Sequence, residues 1–128
     1  MSVKNFEELI IWQQSREFCN DIFRITNYDQ FSKDYRLKDQ IKASSGSIMD
    51  NIAEGFERSG NKEFIQFLYI AKGSCGETRS QLYRALDFKY VTEEEFNILK
   101  EKAIKISQSI GGFINYLKQS ELSGSKYK

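Results

Sequence analysis

Residues 64–85 read FIQFLYIAKGSCGETRSQLYRA, and their periodicity decides the fold. Phe64, Leu68, Ala71, Cys75, Thr78, Leu82 and Ala85 follow one another at alternating steps of four and three. That spacing keeps one side of an α-helix turned toward a neighbour over its whole length. The run is too long for a strand, and a chain without proline offers nothing to break it. Three further segments carry the same pattern. Ile11, Ser15, Phe18, Ile22 and Ile25 form one seam, and Leu37, Ile41, Ile48, Ile52 and Phe56 a second. Phe96, Leu99, Ala103, Ile106, Ile110, Phe113 and Leu117 form the last.

Helices are therefore predicted over residues 6–28, 34–57 and 62–88 and from Thr92 onward, each roughly 35 Å long. Asn5 with Glu8, and Thr92 with Glu95, have the spacing of capping boxes, in which each side chain bonds the other residue's backbone N–H. The connections are only a few residues, so consecutive helices must run antiparallel. The expected fold is all-α, an up-down-up-down four-helix bundle in a single domain over residues 1–120. Residues 121–128, ELSGSKYK, read as a frayed tail.

Composition narrows the function. Hydrophobic content of 40% and charged content of 29% are those of a soluble globular domain, and no stretch approaches the eighteen or so apolar residues that span a bilayer. The N-terminal MSVKNFEELIIWQQ lacks a basic region followed by an apolar run and a cleavage site, so a cytoplasmic protein without membrane contact is expected. With no histidine and only Cys19 and Cys75, the usual zinc patterns are excluded, and no cofactor or metal is expected. A net charge of +1 argues against strong generic binding to nucleic acid, which scales with the phosphates neutralised.

Two tracts of small residues sit in mid-helix, Ala43 to Ser47 and Ala71 to Gly76. Each interior glycine costs about 1 kcal/mol relative to alanine. Close approach of two helix axes at similar heights offsets that cost, as would a kink or a ligand-lined site. Beside the apolar seam of the second helix runs a polar line: Gln40, Ser44, Ser47, Asn51, Glu54 and Arg58, at steps of 4, 3, 4, 3 and 4. It has three readings. It is a solvated face; or a hydrogen-bonded seam fixing register between helices or subunits; or a catalytic constellation with Glu54 as base beside Asn51 and Arg58. On the third helix Lys62, Ile65, Tyr69, Lys72, Gly76, Arg79 and Tyr83 fall within one arc about 120° from the core seam. Tyrosines interleaved with cations suit a subunit contact, and they also suit single-stranded RNA, with about 1–3 kcal/mol per stacked base.

Several of these residues also carry a resemblance. Phe6-x-x-Leu9-x-Ile11-Trp12-Gln13, Leu37-x-x-Gln40-Ile41-Lys42, Ser47-Ile48-x-x-Asn51-Ile52-Ala53-Glu54-Gly55 and Glu63-Phe64-x-x-Phe67-Leu68-x-x-Ala71-x-Gly73-Ser74 resemble the 23S rRNA intervening-sequence protein family over nearly the whole chain. The resemblance implies four-helix bundles assembled as ring-shaped homopentamers, many encoded within insertions in bacterial 23S rRNA genes. It also implies kinship with the accessory proteins of diversity-generating retroelements, basic barrels that bind reverse transcriptase and nucleic acid. Ala43 stands where a second basic residue commonly follows Lys42, and the near-neutral charge likewise departs from that basic branch. The combined expectation is a non-enzymatic homo-oligomer that acts as a scaffold or binding module, with 23S rRNA association as the alternative.

Overall fold

The structure, a computed structural model, describes residues 3–58 and 60–123, with side chains through residue 120. Four helices carry it: α1 (Ile10–Thr26), α2 (Tyr35–Glu57), α3 (Asn61–Asp87) and α4 (Glu93–Ser123). Single 3-10 turns at Phe6–Glu8 and Phe31–Lys33 precede α1 and α2, and the described residues contain no strand. Sequential helices pack on one another and α1 returns to α4, closing an antiparallel four-helix bundle. The α1–α4 side is the least extensively packed of the four.

Local chemistry explains where each helix starts. Asp34 caps α2 through a bond from the Leu37 N–H at 3.1 Å, and Tyr90 donates to its second oxygen at 2.8 Å. Both bonds favour the ionised carboxylate and hold Asp34 below its usual range, the Leu37 amide contributing most. Thr92 and Glu95 form the expected reciprocal box, with Glu95 N–H to Thr92 Oγ1 at 3.1 Å and Thr92 N–H to Glu95 Oε1 at 2.9 Å. The box expected at Asn5 does not form. Its amide reaches the Glu8 carboxylate rather than a backbone N–H, and the chain turns extended at Leu9 before α1 begins. α3 ends on Lys89, which sits at φ 61° while Tyr90 N–H bonds Ala85 O and Lys89 N–H bonds Leu86 O. This is a Schellman ending, with lysine in the left-handed position that glycine normally takes.

The seams of α1 and α3 are buried throughout. In α4 the seam shifts by one residue near its end: Ile114 is buried and Phe113 only partly so. A strict seven-residue repeat lags a 3.6-residue helix by about 20° per heptad, so over three heptads the inward position moves to the next residue. α4 continues through Ser123, three residues beyond the expected domain end, and residues 124–128 of the expected tail lie outside the described residues.

Candidate functional site

The polar line of α2 lies on the flank that meets α3, and its members divide by depth. Ser44 is buried. Its hydroxyl lies 2.7 Å from Thr78 Oγ1 and 2.6 Å from Gln81 Oε1, both on α3. Gln81 Oε1 can only accept, so the single Ser44 proton goes there, while the Thr78 hydroxyl donates to Ser44 Oγ or to the Ser74 carbonyl at 2.9 Å. One turn on, Ser74 Oγ donates to Ser47 Oγ at 3.0 Å, and the half-buried Asn51 amide donates to Ser47 Oγ and to the Ser47 carbonyl, both at 2.8 Å. At the ends the line reaches solvent. Gln40 is exposed and accepts from Arg84, and Glu54 pairs with Arg58 on its own helix at 2.7 Å.

The structure thus brings Ser44, Ser47 and Asn51 together with Ser74, Thr78 and Gln81 of α3, and leaves Gln40, Glu54 and Arg58 at the rim. Ser74 and Gln81 are buried partners that the sequence reading passed over, because only the α2 side was read as a line. Ser74, Thr78 and Gln81 carry the same signal, polar groups at steps of four and three. The buried part of this network is made of hydroxyls and amides, which hold register and lack a group that takes up a proton near neutrality. Glu54 has its carboxylate half exposed and engaged by Arg58.

Just beyond this network Gly55 lies in close contact with α3. A Cβ placed there would lie 2.7 Å from Phe67 Cβ and 2.9 Å from Phe64 Cδ1. The expected tight tracts behave differently. Gly46, Gly73 and Gly76 would meet nothing within 4 Å, so the close packing in those stretches is carried by Ser44, Ser45, Ala71, Ser74 and Cys75. Burial pushes the Cys75 thiol up to about 12, against a weaker downward pull from Lys72 and Arg79.

The second face of α3 lies along its edge with α4. Tyr69 is half exposed and receives a hydrogen bond from Lys118 at 2.7 Å, with the same ammonium 5.3 Å from the ring centre. Lys72 reaches α4, its Cε 3.5 Å from where a Cβ on Gly111 would sit. Tyr83 packs edge-on against Phe96 at 4.7 Å while remaining half exposed. Arg79 is partly buried and Lys62 is exposed. Lys100 and Lys118 of α4 add to the cations of this side, each lying over an aromatic ring.

The α1–α4 side is open. An apolar groove of about 460 Å³ runs between the start of α1 and the end of α4, lined by residues that include Leu9, Ile10, Gly112, Phe113 and Tyr116. Higher up, Asp21 is almost fully buried and binds Lys102 Nζ at 2.6 Å and Arg24 Nη1 at 3.1 Å. The bond to Asp21 raises both bases. Beside this triad, Gln14 Oε1 is buried with no hydrogen-bond partner among the described residues. Above it, Tyr28 donates to Glu95 at 2.6 Å, a bond that lowers the carboxylate and raises the phenol. The described residues contain no cluster of three or more Cys, Asp or Glu able to hold a metal ion, and no helix long and apolar enough to cross a membrane.

Comparison with known proteins adds the lineage. No curated protein matches the chain. A crystal structure of a protein of unknown function from the S23 ribosomal protein family of Bacteroides thetaiotaomicron VPI-5482 superposes with a TM-score of 0.76 at 25% identity, covering 82% of this chain and 98% of that one. The family model for the 23S rRNA-intervening sequence protein matches residues 7–112, a span that includes the hydroxyl seam and Gly55. With the four-helix architecture and the Asn51 to Gly55 motif in place, the chain belongs to the 23S rRNA-intervening sequence protein family.

Proposed function

We propose that the chain acts without catalysis, as a homo-oligomeric, pentameric scaffold or binding module. The observation that carries this reading is the contrast between a hydroxyl seam closed within one chain and an exterior that leaves large apolar groups uncovered. The core network closes on itself within one chain, whereas two adjacent sides of the bundle keep large apolar groups in water: Ile10 at 66% exposure, Ile98 at 54% and Tyr69 at 49%. A lone bundle needs one apolar stripe per helix; a second set beside an apolar groove is the mark of a surface that is covered in use.

RNA association is the second reading, favoured by one observation. The α3–α4 side presents Lys62, Lys72, Arg79, Lys100 and Lys118 around two half-exposed tyrosines, the combination that tracks a phosphate backbone and stacks bases. Sedimentation of the protein with labelled single-stranded RNA separates the two. The scaffold reading expects the same oligomer with or without RNA. The RNA reading expects a complex whose affinity falls steeply as salt rises, and sedimentation as a single chain in both conditions would refute the scaffold.

A further inference from the structure

We infer that the α3–α4 side of one copy seats in the α1–α4 groove of the next, all copies pointing the same way and at the same height. This rests on the homo-oligomeric reading and specifies the contact that builds it. The heights come from bonds inside the chain. Asp21 opposite Lys102 and Tyr28 opposite Glu95 set α1 against α4, and Lys72 against Gly111 and Tyr83 against Phe96 set α3 against α4. On that common scale Tyr69 is level with the apolar groove at Ile10, Gly112 and Tyr116. Arg79 is level with Glu101, and Tyr83 is within a turn of the exposed Ile98.

Three features of one side therefore meet three complements on the other without any sliding along the axis. Charge agrees with shape. The α3–α4 side is basic, while the groove side carries Glu8, Glu17, Asp21, Glu95 and Glu101 against Arg24, Lys102 and Lys105. The two sides are adjacent faces of a four-helix bundle, roughly 90° apart. Successive copies related by such a contact turn by a similar angle with no axial rise, which closes into a small ring of about four or five instead of extending as a filament. Gly112, where a Cβ would meet nothing within 4 Å, leaves room in the groove for the incoming ring of Tyr69.

The test uses two full-length variants, Tyr69→Glu to spoil the α3–α4 side and Gly112→Arg to fill the groove, with circular dichroism confirming that both remain helical. Each alone is expected to run as a single chain of 15.0 kDa by native mass spectrometry. Mixed in equal amounts they should form a two-chain species and nothing larger, because each supplies the one intact half the other lacks. Arg79→Glu should weaken the wild-type oligomer at least tenfold, and adding Glu101→Arg to it should restore most of that loss. Variants that stay fully oligomeric while the wild type is oligomeric would overturn this contact and leave the homo-oligomer standing, as would single-chain variants whose mixture stays single-chain. Variants that lose only RNA binding would assign the face to RNA. A wild type that is itself a single chain would overturn both.

Discussion

Replacing Gly55 with alanine adds one methyl group where α2 lies tight against α3, and the structure sets how far the result falls below the same change at an open glycine. The new carbon would sit 2.7 Å from Phe67 Cβ and 2.9 Å from Phe64 Cδ1, so contact at ordinary distances needs the helices to part by about 1 Å. Phe67 Cβ is anchored directly to the α3 backbone and cannot swing aside, and the hydroxyl bonds nearby, Ser47 to Ser74 at 3.0 Å and Ser44 to Thr78 at 2.7 Å, would have to stretch with it. Overpacking of this kind costs about 1–3 kcal/mol, while alanine regains about 1 kcal/mol of helix propensity, for a net loss of roughly 0–2 kcal/mol. Gly46→Ala is the matched control: it lies on the same helix, meets nothing within 4 Å, and should gain about 1 kcal/mol. Urea denaturation followed by far-ultraviolet circular dichroism, at one fixed protein concentration because association adds to apparent stability, reads both. A Gly55→Ala protein as stable as Gly46→Ala would refute the close-approach argument.

Three further outcomes follow from the same geometry. Ser44→Ala should cost about 1–2 kcal/mol by stranding Gln81 Oε1, and adding Gln81→Leu should recover part of that loss, a coupling that a double-mutant cycle of denaturation midpoints measures. Lys89→Gly should stabilise by about 0.5–1 kcal/mol, because glycine adopts the left-handed ending of α3 without the steric cost lysine bears; an unchanged melting temperature would count against it. Asp34 and Glu95 both titrate below their unfolded values, so they add stability above pH about 4 that is lost as pH falls through their folded values. Tyr28→Phe removes the largest cause of the Glu95 shift and should flatten the acid limb of a stability-versus-pH curve.

Much of this architecture is legible in the sequence itself. Alternating steps of four and three in α3 and the absence of proline suffice for four antiparallel helices, because periodicity averages over many residues and tolerates a local miss. The misses are local. The heptad spacing points Phe113 inward, whereas Ile114 is the buried residue, since a heptad lags the helix by about 20°. Asn5 and Glu8 have the spacing of a cap, yet the extended backbone at Leu9 separates them from α1, and spacing alone carries no backbone angle.

For the candidate site, the sequence located the line from Gln40 to Arg58 without its depth. Ser44 and Glu54, ten residues apart at 100° per residue, point about 80° apart around the helix, so the line straddles the boundary between burial, as at Ser44, and solvent, as at Glu54. Its partners on α3 depend on which flank faces α2, and that is a property of packing. Gly55 shows the same limit. The mid-helix tracts are rich in glycine, whereas among the described glycines the tightest site is Gly55, a single residue closing the Asn51 to Gly55 motif, and its packing role shows only in the two phenylalanine residues it meets across the bundle.

The central claim is that this bundle works as an assembly, and the absolute mass of the untagged protein in solution tests it most directly. Multi-angle light scattering at micromolar concentration should give a particle of about 75 kDa, five copies of the 15.0 kDa chain. A particle of 15.0 kDa across the accessible concentration range would contradict it.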